Sequence, residues 1–191
     1  IAIVTQIEYW KSCFDSSSVI SANGQEETEV SSFARLSQIA SNIMYSSYPD
    51  TLIVNNELIN KNVISGSITS AKKNVVANII RGAQASNYYG APFLSPDYVA
   101  ARSVLIKNGF AATDENVAIN VLPDGRMPQE RVKETLNRFI CKGKTETVNF
   151  EELYITLKEP PYGMRTGYMS LLFSHMLMPY KKSLIISSHG T

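Results

Sequence analysis

Glu159-Pro-Pro-Tyr-Gly-Met-Arg-Thr-Gly-Tyr-Met-Ser-Leu-Leu-Phe-Ser-His-Met-Leu-Met178 is the stretch on which the reading of the fold turns. The Pro160-Pro161 pair stops whatever precedes it, and Tyr162-Gly163 makes a turn. Arg165 then opens a segment that is apolar on nearly every face. A helix with no polar face has to be surrounded, because any side left in water would expose apolar surface. The segment is therefore expected to be the core helix of the C-terminal half, with Arg165 the charged residue at its mouth.

Working outward, the flanks read as helices and one strand. Upstream, Asn149 with Glu152 three residues later is a capping-box pattern, and Val148 with Leu153 fits the hydrophobic staple around it. That helix buries Phe150, Leu153, Tyr154 and Leu157. Before it, Pro128 opens a helix with Val132, Leu136, Phe139 and Ile140 on its apolar side. A different stripe carries Arg131, Arg138 and Lys142, which fall within about 20° of one line at 100° per residue. Downstream, Pro179 breaks the core helix, and Lys181-Lys182 leads into Ser183 to Ser187, read as a strand. Helix, helix, buried helix and strand suit a winged-helix-like region over residues 126–191.

Residues 1–125 read as a helical region with short strands. Residues 1–14 leave strand and helix both open, and Asp15 to Gln25 is a Ser-rich loop. A helix capped at Thr28 carries Phe33, Ala34, Ala40 and Met44, and ends before Tyr48-Pro49, since the residue before proline is driven out of the α region. Thr51 to Val54 is extended. Ser65-Gly66-Ser67 opens a helix with Ile68, Ala71, Val75 and Ile79 on one face and Gly82 as its stop. Gln84 to Leu94 is a loop containing Tyr88, Tyr89 and Gly90. Ser95-Pro96 caps a helix that runs to Asn108-Gly109, with the hydroxyl at N-cap and Pro at N1. Asn116 to Leu122 reads as a strand ended by Pro123-Asp124-Gly125. The fold class expected is mainly α with short β strands (α+β).

With 191 residues, 44% hydrophobic and 18% charged, the chain is long and apolar enough to bury a substantial core. Its net charge of +1 creates no global field to recruit nucleic acid or a membrane. The first 60 residues carry −5 and the remainder +6, which is compatible with a basic face in the later part. No apolar run approaches the roughly 20 residues of a membrane span. Cys13 and Cys141 stand far apart with no CxxC pattern, which points to a reducing cytoplasm. The Ile1 start and the Ser-His-Gly-Thr end both read as cut from a longer chain.

No catalytic, metal or cofactor motif emerges. His175 reads as a core histidine with one satisfied nitrogen, and Cys141 as a packing residue on its helix. Gly163 and Gly167 make no phosphate loop, because the Lys that such a loop needs is missing. Asp114-Glu115 and Glu151-Glu152 read as surface acids at loops and helix starts. The basic residues Arg131, Arg138 and Lys142, with Lys181 and Lys182 beyond the core helix, are the candidate contacts to a phosphate backbone, weighed against a plain solvated helix face.

Several strings together resemble one family. They are Tyr48-Pro49 followed by Asn56-Glu57-Leu58-Ile59-Asn60-Lys61 and Ile64-Ser65-Gly66, then Tyr89-Gly90-Ala91-Pro92, then Pro160-Pro161-Tyr162-Gly163-Met164-Arg165-Thr166-Gly167. They are similar to the region following the P-loop module in large bacterial phage-defence ATPases of the BREX-system kind, over roughly residues 36–188. The resemblance implies a cytoplasmic bacterial subunit working with double-stranded DNA and with partner proteins such as a methyltransferase. The ATPase motifs of that family are absent from these residues, so any ATP chemistry would lie in another part of the protein. Asn56, Glu57, Asn60 and Arg165 become candidate contacts to the ATPase module, another subunit or nucleic acid, beside plainer roles as turn caps and carbonyl partners. The function expected is a non-catalytic accessory or docking region, without cofactor or metal. The rivals are a purely structural or oligomerisation domain and an incomplete nuclease-like domain using Asp97, Asp114 and Asp124.

Overall fold

A computed structural model describes residues 18–20, 28–30, 32–56, 59 and 65–187. The chain divides into two compact units, residues 1–49 and 50–191. In the first, strands β1 (Ser18–Ile20) and β2 (Thr28–Val30) pair antiparallel, Val19 opposite Glu29. Helix α1 (Phe33–Ser47) follows. It starts later than Thr28, because Ser32 rather than Thr28 is the cap and its hydroxyl accepts from the Arg35 N–H at 3.2 Å. It ends at Ser47, ahead of Tyr48-Pro49 as proline sterics require. The readings made for residues 1–14 and for Glu57 and Asn60 fall outside the described residues.

The second unit is helical. Its elements are α2 (Gly66–Arg81), α3 (Pro96–Ala101), α4 (Pro128–Gly143), α5 (Phe150–Lys158) and α6 (Thr166–Leu177). Helix α2 buries Ile68, Ala71, Val75 and Ile79, the face its spacing predicts, and Gly82 ends it at φ 93. A residue with a Cβ would be strained there. Ser95 caps α3 by accepting from the Tyr98 N–H. The helix then widens into a π-turn over Arg102–Ile106. Asn149 accepts from the Glu151 N–H at the start of α5.

Helix α6 is the hub. Gly167, Tyr168, Met169, Leu171 and Leu172 are buried, and α6 packs on α2 and on the π-turn. Each fully buried Leu contributes on the order of 2 kcal/mol through removal from water. Its second half, from Phe173 to Leu177, is only half-buried. There the aromatic series Phe139, Phe150 and Phe173 ties α6 to α4 and α5, with ring centroids 5.2 and 6.0 Å apart.

The α+β class and the winged-helix-like C-terminal part are overturned. Among the described residues of the second unit there is no strand. Ser183 to Ser187 forms none, and Ile185 is 95% exposed with no ladder beside it. Asn116 to Leu122 is held in another way. The Asn120 N–H donates to Lys107 O at 2.7 Å, and its side-chain amide donates to Ile53 O at 2.7 Å. Individual hydrogen bonds of this kind replace a strand's repeating ladder, so this extended run is not a sheet element. The core also joins α2, α3 and α6 across residue 125, where the sequence suggested a division.

Candidate functional site

The segment between α2 and α3 is conformationally the most unusual part of the described chain. Tyr88 (φ 53, ψ 37) and Tyr89 (φ 59, ψ 32) are consecutive left-handed residues, and Gly90 continues at φ 75. Left-handed backbone costs a residue with a Cβ roughly 1–2 kcal/mol, which is why it is normally visited singly. Leu94, at φ 59, is a third case. These three are the only non-glycine residues with positive φ among the described residues, and all lie within seven positions.

Hydrogen bonds over-determine this turn. Tyr89 N–H donates to Gln84 O at 2.9 Å, Ala91 N–H to Tyr88 O at 3.2 Å, and Gly90 N–H to the Asn87 side chain at 3.1 Å. From α2, the Asn78 amide donates to Tyr89 O at 3.0 Å. The phenols reach in opposite directions. Tyr88 donates to Glu115 Oε2 at 2.7 Å, and its ring packs on Tyr98 at 4.3 Å. Tyr89 bonds His175 Nδ1 of α6 at 2.9 Å, while His175 Nε2 sits 2.8 Å from Phe110 O. A carbonyl can only accept, so Nε2 carries the proton and Nδ1 accepts from the Tyr89 hydroxyl.

The electrostatics hold the two phenols and the imidazole neutral. Burial pushes the Tyr89 hydroxyl up from its ordinary value, and burial pushes His175 down, assisted by the Lys133 charge. Burial and the Glu115 hydrogen bond raise Tyr88 to about 12. Neither phenol is a base at neutral pH, and His175 has both nitrogens committed. The cluster is a brace for the turn.

At the tip, Ser95 N–H closes a turn on Pro92 O at 3.0 Å. Phe93 and Leu94 there are 74% and 69% exposed. Beside the turn lies an open cleft of about 360 Å³ lined by Ile106, Phe110, Ala111, Glu115, Val117 and Ile119 among others.

The residues singled out in the sequence are dispersed. Arg131, Arg138 and Lys142 are exposed on α4, but they alternate with acids. Arg131 lies 3.7 Å and Arg138 3.1 Å from Glu134, and Lys142 lies 3.8 Å from Glu146. Lys181 donates to Ile80 O, Lys182 is exposed, and Arg165 is the exposed cap residue of α6. Asn56 is buried, donating to Ser103 Oγ at 3.1 Å while its carbonyl receives the Ile59 N–H. Cys141 is exposed rather than packed. Asp124 is bonded to Arg126, and among the described residues no three His, Cys, Asp or Glu side chains converge to hold a metal ion. No described helix is long and apolar enough to cross a membrane.

The sequence assigns Phe93 and Leu94 no role, places Tyr88 in a loop and marks Glu115 only as a surface acid. The loop around them was legible, but nothing in a Tyr-Tyr pair or a Pro-Phe-Leu-Ser string announces left-handed backbone. Comparison with protein-family models, curated proteins and solved structures finds no match to this chain.

Proposed function

We propose that this chain is a non-catalytic docking module that presents the Phe93–Leu94 turn to a partner protein. One observation supports it above all. Backbone strain and exposed apolar side chains coincide in a single segment, residues 88–94. Strained residues cost about 1–3 kcal/mol each and persist only where surrounding structure over-determines them, as at ligand clamps and binding sites. Relaxed loops can link two helices without this expense. The bracing by Asn78, Glu115 and His175 fits a turn whose shape matters. The setting implied by the resemblance is a large ATP-driven defence or nucleic-acid-handling protein of the bacterial cytoplasm, its partner being an ATPase module or another subunit.

The test is co-purification of the tagged protein from its own cells, wild type against Phe93→Ser/Leu94→Ser. Both side chains are largely exposed and Phe93 loses only an edge contact with Tyr98 at 5.2 Å, so the double variant should lose no more than about 1.5 kcal/mol of stability. The expected result is a recurring partner lost with the variant. An unchanged set of co-purifying proteins would rule out the turn as a docking element, and self-association alone would favour the oligomerisation reading.

The alignment of Arg131, Arg138 and Lys142 on an exposed face of α4 favours a second reading, contact with duplex DNA. Glu134 and Glu146 lie among these cations and offset their field. If the reading holds, binding to a duplex falls log-linearly with salt, and the slope becomes shallower in Arg131→Ala and Arg138→Ala.

A further inference from the structure

We propose that the cleft beside the strained turn binds a cation-tipped alkyl chain, of the kind carried by lysine and arginine side chains or by free polyamines, with Glu115 as the group that receives the charge. This site goes beyond the docking turn and stands or falls without it.

Asp124, Glu134 and Glu146 are each within ion-pairing distance of an Arg or Lys. Glu115 is exposed and, like most of the described acids, is outside these pairs, but it lines the cleft and accepts from a tyrosine. Among the described residues its carboxylate meets no cation, and its one hydrogen bond is from the Tyr88 hydroxyl to Oε2. Tyr88 reaches it from a left-handed backbone position, so a strained residue is what orients this acid. Its loop is fixed as well, by Thr113 Oγ1 donating to Glu115 O at 3.1 Å and by Val117 N–H donating to the same oxygen at 3.0 Å. Holding a carboxylate by one oxygen leaves the other as an acceptor, and a charged donor makes the strongest hydrogen bond to it.

The walls supply the rest. Ile106, Phe110, Ala111, Val117 and Ile119 offer apolar surface for a methylene stem, and about 360 Å³ lies within the range of small-ligand sites. Long cationic side chains bury their stems in such surroundings while the head stays at a polar rim. The chain's own Lys133 lies against two of the lining residues, with its ammonium 5.4 Å from the Phe110 ring centroid and bonded to Gly109 O. That charge disfavours a second cation at Phe110 and leaves the Glu115 side as the place for the head group.

The experiment is an NMR titration of the whole chain, following amides of residues 106–119, with two probes. One is a short peptide bearing a single lysine between uncharged residues, and the other is the diamine putrescine. The expected result is saturable shifts confined to the cleft for at least one probe, weakened about tenfold or more by Glu115→Gln and eroded by salt. Asp114→Asn should leave the affinity unchanged, and Lys133→Met should tighten it by removing a like charge. Tighter peptide binding identifies a polypeptide side chain as the source, and tighter diamine binding identifies a free polyamine. Binding that survives Glu115→Gln unchanged in a folded protein, or no saturable shift with either probe at low salt, overturns the proposal.

Discussion

At Leu94 a large apolar side chain is held at φ 59, where its Cβ crowds the neighbouring carbonyl at a cost of about 1–2 kcal/mol. Glycine would relieve that strain, although its extra freedom in the unfolded chain takes back about 0.5–1 kcal/mol. Leu94→Gly is therefore expected to raise stability by up to about 1 kcal/mol in urea unfolding, while weakening partner recovery. Opposite signs for stability and docking are what a functional strain produces, and a loss of stability would argue against strain at this position. His175 gives a pH test. Its folded pKa lies below the ordinary 6.5, so beneath that pH the unfolded chain takes up a proton that the folded chain refuses. Stability should thus fall as pH drops through 6.5 toward the folded value, by at most about 1.4 kcal/mol per pH unit, and be independent of this group above 6.5. His175→Gln should flatten that part of the urea-midpoint profile. The buried phenols act at the other end, losing stability as pH rises past 10, where unfolded tyrosines ionise first.

At the level of elements, α6 carries the second unit. Leu171→Ala removes a fully buried side chain from the helix that meets both α2 and the π-turn, and should cost about 2–5 kcal/mol in denaturant unfolding. On α4, Arg138→Ala removes an exposed pair with Glu134 and should change stability by less than about 1 kcal/mol. These contrasts also mark what could be read in advance. The faces of α2, α4 and α5, the stop at Gly82 and the cap at Ser95 follow from spacing and side-chain chemistry that act within one turn of helix. The burial of α6 followed from its lack of a polar side. Residues 116–122 and 183–187 depart from the strand reading because apolar character fixes neither burial nor hydrogen-bond partners, and neither segment holds a buried residue. Asn120 supplies those partners from its amide, at a sequence distance of 67 from Ile53. The candidate site was illegible for a similar reason, since left-handed tyrosines arise from contacts with Asn78, Glu115 and His175, which only the folded chain brings near.

Across the second unit, buried polar groups serve the packing. Asn108 spends its amide on the carbonyls of Ile53, Ser103 and Val104, and Gln129 reaches Asn120 O, so the segments around the π-turn are tied by amides instead of strands. Such a scaffold holds a strained surface turn rigidly, and a rigid apolar knob binds without first losing conformational freedom. The most direct measurement is in-cell photo-cross-linking, with the reactive residue at position 93 and a control at position 155, another exposed apolar site. A docking turn predicts one recurring protein adduct at 93, absent at 155 and abolished by Leu94→Ser. The same adducts at both positions, or none at 93, would contradict it.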